Sequence, residues 1–184
     1  PPRIHAGGRM AHSQFDLLRQ RRFLPYFTVQ AFGAFNDNVF RQAIIGLLGA
    51  MVAAGTMDPA LRGTYAQLAP AVFILPYFLF SSIAGQFAER TEKSKLIRIT
   101  TAMEIALMSL AALGFLLQNM GILLVTLFAT GVQSTLFGPV KYSILPSVLK
   151  PEELTGGNGL VEMGTSIAVL LGMLFGGLIF AVAG

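Results

Sequence analysis

From Tyr65 to Ala88 the chain runs 24 residues without an Asp, Glu, Lys or Arg. About 20 apolar helical residues reach across the roughly 30 Å hydrocarbon core of a bilayer, so this stretch reads as a transmembrane helix. Its Pro70 and Pro76 predict kinks, which membrane helices tolerate where neighbours satisfy the freed carbonyls. The rest of the chain agrees, because 54% of its 184 residues are hydrophobic and only 12% are charged, about half the charged share of a soluble domain. Too few polar side chains are present to clothe a water-facing surface. Four more segments have the length and character of spans, near 25–53, 96–118, 120–145 and 158–183, beside the one at 65–88. The expectation is an all-α membrane protein.

The net charge of +4 would suit a nucleic-acid partner only if Lys and Arg were gathered on a solvated face. They flank the apolar runs instead, which argues against nucleic acid and reports topology. Arg19, Arg21 and Arg22 precede the first span, Arg90, Lys93, Lys95 and Arg98 sit at the second connection and Lys150 at the fourth, while Arg62 alone lies on the other side. The positive-inside bias then predicts a cytoplasmic N-terminus. The chain has no Cys, so disulfides and thiolate metal sites are ruled out. Residues 1–9 precede Met10, a natural-looking start, and read as upstream or added sequence. Both histidines, His5 and His12, fall in or beside that leader, so no histidine metal or catalytic site is expected. The first apolar run is too long, and too polar at its centre, for a cleavable signal peptide. At the other end the chain stops inside an apolar run, Leu174 to Gly184, with no stop-transfer charge after it. Residues 10–184 therefore read as an incomplete N-terminal transmembrane domain. No catalytic residue, metal or cofactor is expected, and ion coupling is not legible.

Charges inside the spans are the candidates for function, since an ionised side chain at membrane depth is costly and normally pairs or faces a wet cavity. Asp37 and Arg41 lie near the middle of the first span, spaced i, i+4 on one helix face. Asn36, Asn38 and Gln42 flank them. One reading is an intrahelical ion pair that lowers the cost of insertion; the other is a substrate or ion site, which the three neighbouring amides favour. Lys141 near the end of span four and Glu162 near the start of span five would reach similar depth on antiparallel helices and could pair. Lys141 could instead snorkel to the headgroups. Pro139 just before it predicts a bend. Glu104, about two turns into span three, is a secondary candidate, either a lone acid bonded to a neighbouring helix or part of a site. The glycines of span five, with Gly172 and Gly176 as a Gly-x-x-x-Gly, read as close-packing positions rather than a ligand loop.

Certain strings carry a resemblance. Gly85-Gln86-Phe87-Ala88-Glu89-Arg90-Thr91-Glu92-Lys93-Ser94-Lys95 resembles the loop between helices two and three of major facilitator transporters, with Glu89 for that family's Asp and Glu92 where Gly is usual. Phe35-Asn36-Asp37-Asn38, Phe137-Gly138-Pro139-Val140-Lys141-Tyr142-Ser143-Ile144-Leu145 and Asn158-Gly159-Leu160-Val161-Glu162 together resemble the lysophospholipid transporter branch of that superfamily. The resemblance implies the first five helices of a six-helix half in a two-half carrier that takes lysophospholipids across a bacterial inner membrane. It implies roles in substrate binding or coupled gating for Asp37, Asn38, Lys141 and Glu162, and a cytoplasmic gating loop at Gly85, Glu89, Arg90 and Lys93. Asn36, Arg41 and Glu104 are secondary. The implied partners are membrane lipids, the lysophospholipid, the missing C-terminal half and an acyltransferase in cis or in trans. Two alternatives stand beside this reading: a major facilitator exporter of drugs or small solutes, and the membrane domain of a fused acyltransferase and acyl-carrier-protein synthetase.

Overall fold

The computed structural model describes residues 14–90 and 92–183, without the side chains of residues 88, 89, 93, 96, 97, 139, 141, 142 and 180–183. All regular structure among the described residues is helical. A short 3-10 helix, Gln14–Arg19, leads into α1 (Leu24–Ala53), followed by α2 (Pro59–Arg90), α3 (Lys93–Leu116), α4 (Met120–Val148) and α5 (Leu154–Ala183), with a 3-10 turn at Pro151–Glu153 before α5. The leader at 1–9 and both histidines lie outside the described residues.

Tight turns let the helices double back. At the end of α1 the N–H of Gly55 donates to Val52 O (3.0 Å) and that of Thr56 to Met51 O (2.9 Å). This is a Schellman motif, whose central residue takes left-handed backbone, and Gly55 has φ 71°, where an added side chain would be strained. The end of α3 repeats it with Gln118 at φ 50°. There the N–H of Gln118 reaches Phe115 O and that of Asn119 reaches Gly114 O. Asn119 then caps α4, accepting from the Ile122 N–H at 3.1 Å, which satisfies one of the free donors of a helix start.

Packing is dominated by α1 on α5, α2 on α4 and α3 on α4. Gly172 and Gly176 set the first of these. A Cβ at Gly172 would stand 2.5 Å from the Phe35 carbonyl oxygen, and one at Gly176 2.9 Å from that of Val39, so the backbones of α5 and α1 approach closely because both positions lack a side chain. The matching order Phe27–Gly164, Phe35–Gly172, Gln42–Gly176 makes the two helices run parallel. Gly131 of α4 likewise lies against the Phe73 carbonyl of α2.

Two apolar cores result. One joins Leu17, Phe23 and Tyr26 to Val140, Ile144, Leu145, Leu149, Leu160 and Val161 where α1 begins, α4 ends and α5 begins. The other joins Phe40, Ile44, Leu47 and Leu48 to residues of α2, α3 and α4 toward the far end of α1. Large apolar side chains also point outward, Phe78 at 81% and Leu116 at 82% exposure among them. A bundle apolar on its outside as well as its inside is built for lipid.

All five expected spans are helices, and two details of them follow from composition. Four helical stretches are long and apolar enough to cross a membrane, at Pro59–Phe87, Arg98–Leu116, Met120–Gly138 and Pro151–Ile179. α1 is not among them, although it is 30 residues long, because Asn36, Asp37, Asn38, Arg41 and Gln42 interrupt its apolar run. The segment expected as a gating loop is also mostly helix. α2 continues to Arg90 and α3 begins at Lys93, so Gly85, Glu89 and Arg90 occupy the last turns of one helix and Lys93 the first turn of the next. Glu, Arg and Lys are good helix formers, and the helix outlasts its apolar stretch. The side chains of Glu89 and Lys93 lie outside the described residues, and Arg90 is exposed.

Candidate membrane-buried polar site

Between the two apolar cores lies a cavity of about 340 Å³, within the range of roughly 300–1,000 Å³ usual for small-ligand sites. It is walled by all five helices. α1 supplies Gln30, Asp37, Asn38 and Arg41, on one face by their spacing; α2 adds Phe73 and Tyr77; α3 adds Thr100 and Glu104; α4 adds Gln133 and Ser134; and α5 closes it with Thr165 and Val169.

The hydrogen bonds show how the carboxylates are held. Ser134 Oγ donates to Asp37 Oδ2 at 3.1 Å, tying α4 to α1. Asn36 Nδ2 donates to Glu104 Oε1 at 3.1 Å, tying α1 to α3. Glu104 Oε2 faces Gly33, where an added Cβ would meet it at 3.8 Å. Arg41 makes no ion pair with either acid, although its Nε donates to the backbone carbonyl of Asp37 at 3.4 Å. Its Nη2 donates to Asn38 Oδ1 at 2.6 Å, and its guanidinium stacks over the Phe73 ring, 4.6 Å from the centroid, an attractive cation–π contact. Asn38 is buried and its Nδ2 donates to Ala34 O at 2.7 Å. Gln133, also buried, donates to Thr100 O at 3.3 Å.

The sequence candidates divide accordingly. Asn36, Asp37, Asn38, Arg41 and Glu104 come together. The intrahelical Asp37–Arg41 ion pair does not form: a side-chain amide and an aromatic ring hold Arg41, and a hydroxyl from another helix holds Asp37. Glu104 is not isolated, since Asn36 links it to the first-span cluster. Lys141 lies in α4 with its side chain outside the described residues, and Glu162 is exposed on α5; neither lines this cavity. Sequence reasoning missed Gln30, Phe73, Tyr77, Gln133 and Ser134. The pair Gln133-Ser134, set between Val132 and Thr135 in an otherwise apolar span, was the available signal, as was Gln30 two turns before Asp37 on the same face.

A second groove, more open and largely apolar, runs between α1 and α3 and shares Val29, Gly33, Thr101 and Glu104 with the cavity. Phe32 lines this groove, Phe40 is buried in the far core against Phe115, and Phe35 packs edge-on to Phe175 of α5. Among the described residues no cluster of His, Cys, Asp and Glu could hold a metal ion.

The family model of the Major Facilitator Superfamily matches residues 25–184. The lysophospholipid transporter LplT of Yersinia enterocolitica is 28% identical over 162 residues, covering 88% of this chain and 37% of that protein. The protein of the same name from Salmonella newport is 29% identical over 156 residues, covering 85% of the chain and 36% of its own length. The chain thus spans little more than a third of the curated relatives it matches. No solved structure matches it.

Proposed function

Because this chain belongs to the major facilitator superfamily, we propose that it is the leading part of a carrier that moves lysophospholipids across a bacterial inner membrane. The observation that carries the reading is the buried polar cavity at the middle of an otherwise apolar bundle. Polar groups at that depth are costly unless they serve a ligand or a pathway, and a lysophospholipid has a polar headgroup to be shielded while its single chain stays in apolar surroundings. The names of the relatives favour the same substrate class. Carrier sites lie between structural repeats near the midplane, so alternating access is proposed to need a second bundle that closes over this one. An acyltransferase, fused or free-standing, is the proposed consumer of the delivered lysolipid.

In this reading Asp37 and Asn38 form the headgroup wall, with Asn36 beside them. Lys141 and Glu162 pair at the end of the bundle near the Leu17 and Phe23 core, and Gly85, Glu89, Arg90 and Lys93 act as a charged latch between α2 and α3. That end is cytoplasmic. Single cysteines at Lys95 and at Gln118 should then react with an impermeant thiol reagent from opposite sides, position 95 from the cytoplasm. Periplasmic labelling there would reverse the topology. Glu162 is exposed, so removing either partner of the Lys141–Glu162 pair should cost roughly 0–1 kcal/mol, and a double-mutant cycle without coupling would dismiss it.

The decisive test uses the full-length protein in vesicles. It should move lysophosphatidylethanolamine between leaflets and reject the diacyl parent, while residues 10–184 alone move neither. Export of cationic dyes with no lysolipid movement would replace this reading with the drug-exporter one.

A further inference from the structure

Arg62 lies at the end of the bundle away from the Leu17 and Phe23 core, near the start of α2 and one turn before the charge-free run that opens at Tyr65. That places it at the level where a bilayer changes from hydrocarbon to headgroups. Long cations at a span end ordinarily extend outward into that layer. This one turns back across the bundle: its Nη2 reaches α1, where a Cβ added at Gly49 would stand 3.9 Å from it. Beside Arg62, α1 and α2 leave a pocket of about 290 Å³, lined also by Ile45 and Leu48 of α1 and by Pro59, Gly63 and Ala66 of α2.

Arg62 brings the only polar side chain to that lining. Among the described residues its guanidinium has no hydrogen-bond or ion-pair partner. The nearest acid in sequence, Asp58, is engaged with the start of α2, where its Oδ1 accepts the Ala60 N–H at 2.8 Å. The helix-end donors are spent as well, since the N–H groups of Leu61 and Arg62 bond to Asp58 O at 3.0 and 3.3 Å and Pro59 has none. The floor of the pocket is hydrocarbon. Leu48 is fully buried and Ile45 is 37% exposed, while a Cβ at Gly63 would meet nothing within 4 Å, so that side stands open. An unspent guanidinium over an apolar floor is complementary to an anion carried on a hydrocarbon chain, and Arg matches phosphate with paired, charge-assisted hydrogen bonds.

We propose that this pocket binds a phospholipid of the surrounding leaflet, as a fixed lipid rather than as cargo: Arg62 holds the phosphate, and Ile45, Leu48 and Ala66 carry the first part of an acyl chain. Bound there, the lipid joins the last turns of α1 to the first turns of α2. The pocket shares no residue with the polar cavity, so the assignment does not depend on which substrate the carrier moves.

Full-length protein in mild detergent, titrated with phosphatidylglycerol and followed by native mass spectrometry, tests this by counting bound lipids. At low lipid the wild type should hold one more phosphatidylglycerol than Arg62→Gln, and the affinity of that site should fall about tenfold in the variant, as expected for the loss of one charge-assisted contact. Arg62→Lys should lose less, because a point charge remains without the paired geometry. Gly63→Leu keeps the cation but fills the pocket, and should also release the lipid. Its thermal midpoint without lipid should match or exceed wild type, since Leu is the better helix former, which separates lost binding from lost folding. Diacylglycerol, which lacks the phosphate, and inorganic phosphate, which lacks the chain, should not displace the bound lipid at equal concentration. Equal counts and affinities in wild type and Arg62→Gln would overturn the proposal and mean that another part of the carrier covers this pocket. Displacement by either competitor, or undiminished binding in Gly63→Leu, would overturn it too.

Discussion

Where α1 begins, Phe23 and Tyr26 are packed among Val140, Ile144 and Leu145 of α4 and Leu160 and Val161 of α5. About four turns further along the same helix, Asp37 meets the same α4 through the hydroxyl of Ser134. The first junction is dry and apolar, and its nearby ion pair, Arg22 Nη2 to Glu153 Oε2 at 2.6 Å, lies outside the core. The second is polar and encloses an open volume. Such a contrast along one helix separates a contact that packs the bundle from one that keeps polar groups inside it. The apolar junction fixes α1, α4 and α5 as a unit, and the polar junction keeps groups at membrane depth that packing alone would replace with Leu or Ala.

Four substitutions can break or sharpen that contrast. The largest effect is expected at Phe23, which is fully buried: Phe23→Ala should cost about 3–5 kcal/mol, seen as a lower thermal midpoint of the solubilised full-length protein, with turnover per folded molecule retained. A midpoint unchanged by Phe23→Ala would deny the dry junction its structural role. Next comes Gly172→Ala, whose Cβ would press to 2.5 Å on the Phe35 carbonyl oxygen and 2.8 Å on Asn38 Cβ. Overpacking of this kind costs about 1–3 kcal/mol. Because Asn38 borders the cavity, stability and transport should fall together, and loss of stability alone would show that the cavity does not depend on the α1–α5 approach.

Asp37→Asn should lower transport at least tenfold, equivalent to about 1.4 kcal/mol, with membrane-inserted amounts equal to or above wild type, since a carboxylate at mid-membrane costs insertion energy. Wild-type flux in that variant would remove the polar junction from the mechanism, and failed insertion would make it structural. The smallest effect belongs to Arg22→Gln. The Arg22–Glu153 pair is solvent-exposed, with 39% and 22% of the two side chains accessible, and exposed pairs contribute roughly 0–1 kcal/mol. A shift much beyond that range in the thermal midpoint would mean that this contact latches the end of the bundle.

Much of the fold was legible from linear pattern alone. The charge-free run from Tyr65 to Ala88 and its neighbours place helices because every backbone polar group in lipid must be satisfied within its own segment. Helix ends were less legible. Nothing in an apolar run says how far a helix continues beyond the membrane, and Gly85 to Arg90 looked like a loop because charge and turn residues resemble each other in composition. The polar site was half legible: Asp37, Asn38 and Glu104 stand out as anomalies in apolar helices, whereas Gln30, Tyr77 and Ser134 are ordinary residues until their helices meet.

Composition and spacing by themselves determined that this chain is a bundle of membrane helices with ionisable groups at depth, because the bilayer penalises polarity whatever the neighbours are. Which groups face one another was decided only by the tertiary structure. Asp37 and Arg41 share a helix face and still make no ion pair: Ser134 from α4 donates to Asp37, while Arg41 donates to Asn38 and lies over Phe73 of α2. Glu104 finds Asn36 across a gap of 68 residues. Such partnerships depend on where glycines such as Gly131 and Gly172 let backbones approach, and that depth and rotation of one helix against another is a property of packed surfaces, absent from the order of residues along any one of them.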